Sequence, residues 1–220
     1  MAHFKTVSEE EIQRVNRLQR ETFDRLYHLF EPPLPEGVPK RLEKIVEQGR
    51  IRKGATVLDV GSGTGILIPI INKYEPRWIY ACDLSVAMLD QLNSKKYPNV
   101  ETMVVDVRDL RLPGSSIDVV FINACYGNIV DKSGAFSNLG RMMKLQGRLV
   151  ISHPLGKSFV RSMREKASFP LDNFPEKTET ETLFRPFGFE IETFIDEANL
   201  YILVALKSRD RAAVDEGVKP

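Results

Sequence analysis

The chain has 220 residues, which is enough for one well-filled hydrophobic core and too few for two domains of typical size. Apolar residues make up 42% and charged residues 28%, an ordinary globular balance, and the net charge of +1 gives no overall field for a nucleic-acid or anionic-membrane partner. The two cysteines, Cys82 and Cys125, are far apart and have no neighbouring histidine, so we expect neither a disulfide framework nor a metal site.

The sequence also argues against membrane and export signals. No apolar run is long enough to span a bilayer, and the N-terminus has an acidic triplet at 9–11 and no apolar signal core. Two isolated cysteines suit a reducing compartment. We therefore expect a cytoplasmic protein with no membrane span and no nucleic-acid partner.

The first fifty residues predict helices that cover the rest of the chain. Ser8, followed three residues later by Glu11, is typical of a capping box. Apolar residues then recur at mostly helical spacing to residue 30, which predicts an amphipathic helix or a broken pair of helices. The proline-rich stretch 31–35 ends this segment, and a second short helix is predicted over 39–49.

Two interpretations of the first helical segment stay open. It is either a plain covering helix, or a lid that closes over a bound ligand with Phe23, Asp24 and Tyr27 facing the site. As a lid it would be mobile without the ligand and ordered with it. The pair Pro32-Pro33 would then serve as a stiff hinge.

A glycine-rich loop lies between a predicted strand and a predicted helix. Residues 56–60 predict a short buried strand, the sequence GSGTG follows at 61–65, and an apolar helical run begins at Ile66. This arrangement points free backbone N–H groups and the positive end of a helix at a ligand. Three glycines in five residues cost chain entropy unless the backbone needs room or a positive φ. We interpret the loop as a cofactor cradle, and the alternative is a tight turn without a ligand.

Strands and helices alternate over the rest of the chain. Further strands are predicted at 78–82, 101–105, 117–122, 148–152, 189–195 and 200–206, and further helices after Ser85, over 132–145 and near 178–186. The alternation predicts an α/β fold with a mostly parallel sheet covered on both faces. The last two strands are joined by a short turn, which predicts an antiparallel hairpin.

Polar residues follow the predicted strands at their carboxyl ends, where parallel sheets bind ligands. Asp83 follows the second strand, 22 residues after Gly61, and a carboxylate there can accept both ribose hydroxyls of a nucleoside. The same charge would repel the 2′-phosphate of NADP. Asp106 follows the third strand, where an acid and a backbone N–H can read the adenine edge, and Asp109 is an alternative to it.

The glycine spacing, with Asp59 two residues before Gly61, resembles motif I of class I S-adenosylmethionine (SAM) methyltransferases. The resemblance covers roughly residues 55–155, and 23–26 is weakly similar to ubiquinone/menaquinone-type small-molecule methyltransferases. It implies a Rossmann-like, seven-stranded, mostly parallel sheet with a C-terminal antiparallel hairpin, helices on both faces and N-terminal covering helices. It also implies SAM as cofactor, with S-adenosylhomocysteine as product.

The resemblance further implies which residues bind the cofactor. Asp83 would hold the ribose, with Leu84 and Met88 packing beside the adenosine. The segment 106–108 would bind the adenine, and 123–125 would face the methionine part and the acceptor. The full predicted set is Asp59, Gly61, Ser62, Gly63, Thr64, Gly65, Asp83, Leu84, Met88, Asp106, Val107, Arg108, Asn123, Ala124 and Cys125.

We therefore expect a SAM-dependent methyltransferase that acts on a small molecule, with O- or C-methylation favoured over N-methylation. The segment 123–125 lacks the Asp/Asn-Pro-Pro-Tyr/Phe tetrapeptide of enzymes that methylate DNA bases or glutamine. Two alternatives stay open: a protein of the same fold that binds SAM without methyl transfer, such as a regulatory module or an aminopropyltransferase relative, and an NAD-dependent oxidoreductase. The glycine spacing counts against the last.

Acceptor chemistry often needs a base, and His153 after the fifth strand is our candidate. Pro154 is expected to stop the strand there and leave the imidazole at the rim of the pocket. The alternative is a strand-end histidine bonded to backbone, and His28 and Cys125 are weaker candidates for the base.

We expect one domain over 1–220, with a helical cap at 1–50, an α/β core at 51–206 and a tail at 207–220. The segment 154–188 matches no pattern that identifies an acceptor, so the sequence leaves the substrate and the oligomeric state open.

Overall fold

Seven strands form one sheet in the computed structural model, which describes residues 3–208. The strands are β1 (Thr56–Val60), β2 (Trp78–Asp83), β3 (Val100–Val104), β4 (Ile117–Asn123), β5 (Met143–His153), β6 (Phe189–Glu197) and β7 (Leu200–Lys207). The α-helices over the same residues are α1 (Glu9–Leu26), α2 (Val38–Glu47), α3 (Ile68–Asn72), α4 (Val86–Ser94), α5 (Lys132–Met142), α6 (Gly156–Arg164) and α7 (Lys177–Phe184).

The strand order across the sheet is β3-β2-β1-β4-β5-β7-β6. Strands β1 to β5 pair in parallel, whereas β7 pairs antiparallel with both β5 and β6. The predicted fold class is confirmed, including the C-terminal hairpin. After β1 the chain first builds β2 and β3 on one side and then crosses to β4 on the other. The carboxyl ends of β1 and β4 therefore mark the switch point, where sheets of this kind bind ligands.

The core has two layers because consecutive strand residues point to opposite faces of the sheet. Leu58 and Val120 belong to the apolar cluster that includes residues of α5 and α7. Their neighbours Val57 and Phe121 belong to the cluster that includes residues of α2, α3 and α4. A Cβ atom at Gly49 would lie 2.6 Å from the Phe121 ring, so the turn after α2 depends on the absence of a side chain there. Burial on both faces explains why the central strands are almost entirely apolar.

Two boundaries differ from the sequence prediction. Helix α3 begins at Ile68 rather than Ile66 and has only five residues, because residues 61–67 form consecutive turns. Helix α5 ends three residues early and β5 begins at Met143, which pairs with Ile117 ahead of a bulge. Gly147 lies inside β5, where a Cβ would be 2.8 Å from a backbone oxygen. Helix α1 ends at Leu26, and a 3-10 helix over Tyr27–Phe30 completes the predicted segment; the remaining bounds agree within two residues.

Helix α6 was not predicted. It has nine residues and buries only Gly156 and Val160, while its other apolar side chains, Phe159 and Met163, are exposed. The tail expected from residue 207 begins inside β7, since Lys207 pairs with Phe189. Residues 209–220, the rest of that expected tail, lie outside the described residues.

The aromatic cluster around Phe136 provides a test of the core. Its ring is fully buried and lies 5.3 Å from Phe4, 4.9 Å from Phe184 and 6.3 Å from Tyr126, centroid to centroid. Phe136→Ala should lower the free energy of unfolding in urea by about 3–5 kcal/mol, because it leaves a cavity. The control Leu145→Ala, at a side chain 54% exposed, should change it by less than about 0.5 kcal/mol. Similar losses in both variants would contradict this description of the core.

Candidate functional site

A cavity opens at the carboxyl ends of β1 to β4, between the glycine loop and α1. Every residue of the predicted cofactor set lines it except Gly65 and Arg108. Because the cavity is at the switch point, side chains that are far apart in the sequence meet there.

The glycine loop is tied to the end of β2. The N–H groups of Gly61 and Ser62 both donate to the Cys82 carbonyl oxygen, at 2.8 and 3.1 Å. Gly61 has φ +65°, and a Cβ at this position would lie 2.2 Å from the Cys125 Sγ. The first glycine is therefore required both by its backbone conformation and by the close approach of Cys125.

We expected free backbone N–H groups in this loop, and for most of its residues this expectation is wrong because the N–H group has a partner within the protein. The Gly63 N–H donates to the Asp83 Oδ2 at 2.9 Å, and the Gly65 N–H donates to the Ser62 carbonyl oxygen at 2.9 Å. The N–H groups of Gly61 and Ser62 are also bonded, to the Cys82 carbonyl oxygen, and helix α3 has only five residues. The loop therefore does not offer a set of free N–H groups for binding an anion. Its glycines give the cavity its shape. Gly65 packs instead on α4, since a Cβ there would be 2.5 Å from Leu92.

The Asp83 carboxyl group is held in place by backbone donors. Its Oδ2 accepts the Gly63 N–H and its Oδ1 accepts the Ser85 N–H, both at 2.9 Å. Burial raises the pKa of Asp83, and these N–H bonds oppose the rise. Each oxygen keeps lone-pair capacity, so the group can accept two further hydroxyl donors from the cavity.

Two polar groups of the loop region are left without partners. Asp59 is 2% exposed, and its carboxyl group has no hydrogen bond among residues 3–208. Burial, followed by repulsion from Asp83, raises the pKa of Asp59 to about 8. The Ser62 Oγ is also buried without a partner in the described chain. Since buried polar groups are normally satisfied, a polar ligand in the cavity fits both groups, and a cation fits Asp59 best.

At the end of β3, Asp106 faces the cavity and Arg108 does not. The Asp106 Oδ1 accepts the Arg108 N–H at 3.0 Å, and its Oδ2 accepts the Asn16 side-chain amide at 2.7 Å. The Arg108 guanidinium turns outward to Glu9 at 2.5 Å and to Asp109 at 3.0 Å. The Arg108 side chain therefore does not line the cavity, and Asp109 is paired with it outside the cavity.

The end of β4 forms the opposite wall. The Asn123 Oδ1 accepts the Ser152 Oγ–H at 3.0 Å, so the side-chain NH₂ group of Asn123 remains available as a donor. Burial and the nearby Asp83 raise the pKa of the Cys125 thiol well above its ordinary value. The thiol therefore stays neutral, which makes it a weak nucleophile and a weak base.

Helix α1 lies across the cavity and is bonded to its rim. The Gln19 Nε2 donates to the Asn128 carbonyl oxygen at 2.8 Å, and the Asp24 Oδ1 accepts the Ser85 Oγ–H at 2.6 Å. Phe23 lines the cavity as expected, Asp24 caps the rim, and Tyr27 contacts His28 instead.

Sequence reasoning missed several lining residues. They are Asn16, Gln19, Phe30, Val60, Ile66, Leu67, Cys82, Val105, Asn128 and Ile129. For α1 a signal was present: Asn16, Gln19 and Phe23 continue the buried stripe of Ile12 and Val15 at helical spacing, with polar residues where a plain covering helix would be apolar.

His153 is buried away from the cavity lining, and the prediction that it stands at the rim is wrong. Its Nδ1 accepts the Leu155 N–H at 3.1 Å, and its ring packs against Phe159 and Phe174. Neighbouring strand residues face opposite sides, so Ser152 takes the side of Asn123 and His153 takes the other. Burial lowers the pKa of His153 to about 4, which leaves little basicity for proton abstraction.

Residues 3–208 contain no helix that is both long and apolar enough to cross a bilayer. Within the same range, no three His, Cys, Asp or Glu side chains are grouped as a metal site would require.

The buried Asp59 makes stability depend on pH. The folded chain keeps its proton up to about pH 8, whereas an unfolded chain releases it near its ordinary pKa of 3.8. The unfolded state thus binds fewer protons between these values, so the free energy of unfolding should fall as the pH rises through this window. Asp59→Asn should remove this slope and be more stable than the wild type by roughly 2–5 kcal/mol above pH ~8, measured by urea unfolding. Asp90→Asn, an exposed acid on α4, is the control and should keep the slope. A wild-type slope in the Asp59 variant would contradict the assignment.

Comparison with known proteins identifies the domain. Residues 58–151 match the family model described as a methyltransferase domain. An uncharacterized methyltransferase of Schizosaccharomyces pombe is 28% identical over 167 residues, which cover 73% of this chain and 64% of the relative. A demethylmenaquinone methyltransferase of Paenarthrobacter aurescens is 29% identical over 138 residues, covering 59% of this chain and 52% of the relative. The chain thus spans less than two thirds of the length of these relatives.

The fold agrees with a solved structure. A SAM-dependent methyltransferase of Aquifex aeolicus superposes with a TM-score of 0.66 and 20% identity, covering 83% of this chain and 97% of that one. At this identity the likeness concerns the fold alone. Residues 58–151 thus match the methyltransferase domain family, and the sheet order and the glycine loop at the end of β1 are similar to those of class I S-adenosylmethionine-dependent methyltransferases.

Proposed function

We propose that this chain binds SAM in the cavity at the ends of β1 to β4 and transfers its methyl group to a small-molecule acceptor, at oxygen or carbon. The observation that carries the proposal is the Asp83 carboxyl group, fixed by the N–H groups of Gly63 and Ser85 and facing the cavity beside the glycine loop. S-adenosylhomocysteine would be the product.

Asp83 would accept both ribose hydroxyls through its remaining lone pairs. Leu84 and Met88 line the same part of the cavity and would pack against the adenosine. Asp106 would accept the adenine amino group, together with the Asn16 amide that it already binds. The cofactor contact would thus extend from the sheet to α1.

At the other end of the cavity, Asp59 and Ser62 would meet the methionine part of the cofactor. Ionisation of Asp59 next to a positively charged amino group would satisfy a carboxyl group that is otherwise buried alone. Asn123, oriented by Ser152, would offer its side-chain amide as a donor at the same end. The bound cofactor supplies an electrophilic methyl group on a sulfonium, and the residues of this chain contribute mainly by holding the acceptor in line with it.

Two observations support the proposed class of acceptor: the name of one relative and the side chains that line the cavity. The relative from Paenarthrobacter aurescens is named for demethylmenaquinone, an apolar ring compound. Phe23, Phe30 and Ile129 line the cavity here and suit an apolar acceptor. We do not assign proton removal to His153, because its imidazole is buried elsewhere. We further propose that the cap (1–50) and the core (51–206) act as one domain in the cytoplasm, where isolated cysteines stay reduced.

Calorimetry tests the cofactor assignment. The chain should bind SAM and S-adenosylhomocysteine more tightly than NAD, and Asp83→Ala should weaken SAM binding by about 1.5–3 kcal/mol through loss of hydrogen bonds to a charged group. Asp90→Ala, an exposed acid on the neighbouring helix α4, is the control and should bind normally.

Unchanged affinity in Asp83→Ala would contradict its role, and tighter binding of NAD would contradict the proposal as a whole. Binding of labelled SAM without methyl transfer to any acceptor pool would favour a binding protein of the same fold.

The cover formed by α1 leads to a further prediction. Its buried residues are only Ile12, Val15 and Gln19, so polar bonds that water can replace hold much of the helix. Hydrogen exchange over residues 15–35 should therefore slow when SAM is added, as a lid requires. Gln19→Ala removes the bond to the Asn128 carbonyl oxygen and should raise exchange without cofactor. Equal protection with and without SAM would make α1 a plain covering helix.

A further inference from the structure

Large exposed apolar side chains are concentrated at the end of α1, with Val86 beside it, and on α6. They are Leu26, Leu29, Phe30, Val86, Phe159 and Met163. Elsewhere in the described chain such exposure occurs at Val104 and Leu145. Scattered exposed apolar residues are ordinary, but their concentration in two segments that meet in space indicates a contact surface.

The end of α1 and the segment after α6 meet in space. The Phe23 ring, which lines the cavity, lies 5.9 Å from the Phe30 ring and 5.8 Å from the Phe169 ring. The Thr22 Oγ1 lies 3.4 Å from the Ser168 Oγ. We call the surface formed by residues 22–30 and 159–169 the mouth surface.

The α6 side of the mouth surface is basic as well as apolar. Every residue from Arg161 to Lys166 is exposed, and Glu165 is the single acid among them. Arg161 has an ion pair with Glu176 at 3.6 Å, whereas the side chains of Arg164 and Lys166 have no ion-pair partner within residues 3–208. Net charge averages over the whole surface, so the value of +1 conceals this local excess.

We propose that the mouth surface docks on an anionic lipid bilayer, with Leu29, Phe159 and Met163 entering the headgroup region and Arg164 and Lys166 facing the lipid charges. Apolar side chains next to free cations are the composition of segments that lie at membrane interfaces. A symmetric pair of copies is less suitable, because their cations would face each other across the contact. This docking goes beyond methyl transfer and does not depend on it.

Vesicle co-sedimentation of the full chain tests the proposal. Binding is expected to vesicles that contain phosphatidylglycerol, with much less binding to phosphatidylcholine alone, and it should weaken as salt is added. Arg164→Glu and Lys166→Glu should each lower partitioning by at least about fivefold, and Phe159→Ser and Leu29→Ser should lower it as well.

Two matched variants serve as controls. Val104→Ser and Leu145→Ser remove apolar side chains that are equally exposed but lie outside the mouth surface, and they should bind vesicles normally. SAM affinity, measured by calorimetry, should be unchanged in all six variants, which separates docking from folding and from the cofactor site.

The proposal is overturned if the wild type ignores anionic vesicles, or if the control variants lose as much binding as Phe159→Ser. It is also overturned if light scattering finds a dimer that Phe159→Ser dissociates, since a second copy would then occupy the surface. If the wild-type chain binds anionic vesicles but does not bind SAM, the result would contradict the proposed function and leave the docking proposal standing.

Discussion

Two hydrogen bonds to a single oxygen atom, the Cys82 carbonyl oxygen, fix the geometry on which the site depends. The donors are the N–H groups of Gly61 and Ser62, and through them the end of β1 is tied to the end of β2. Asp59 and Asp83 then face the same cavity, close enough that the charge of Asp83 helps to raise the pKa of Asp59. A larger residue at 61 would strike Cys125, so the wall formed by β4 depends on the same turn. The loop therefore aligns three strand ends at once.

Stabilising contacts are distributed unevenly between the core and the cavity. The two core layers are apolar and fully buried, as the ring cluster around Phe136 illustrates. The cavity instead keeps a lone buried carboxyl group and an unpartnered hydroxyl group, and its cover is held by side-chain bonds such as those of Asn16 and Gln19. Sites that bind a ligand commonly give up stability in this way, because groups that satisfy the ligand are unsatisfied without it.

Much of the fold and of the cofactor region could be predicted from the sequence because their signals are local. A buried strand, a glycine loop and an acid after the next strand follow one another along the chain, and parallel topology brings their ends together. The orientation of His153 is different in kind. It depends on the register of β5 against β4 and β7, where a shift of one residue exchanges the faces of the sheet. Asn16 and Gln19 were missed for a related reason: their partners, Asp106 and Asn128, are distant in the sequence and are brought close only by the tertiary fold.

The bond between Asn16 and Asp106 has a kinetic consequence for an enzyme of this design. If Asp106 binds the cofactor as proposed, release would require α1 to loosen, and the opening rate of α1 would set an upper limit on exchange of spent for fresh cofactor. On the proposed function, the acceptor would reach the cavity beside Phe23, at the end of α1 away from the bond between Asn16 and Asp106. We therefore expect an ordered cycle in which the cofactor enters first and leaves last, and in which its departure is the slow step.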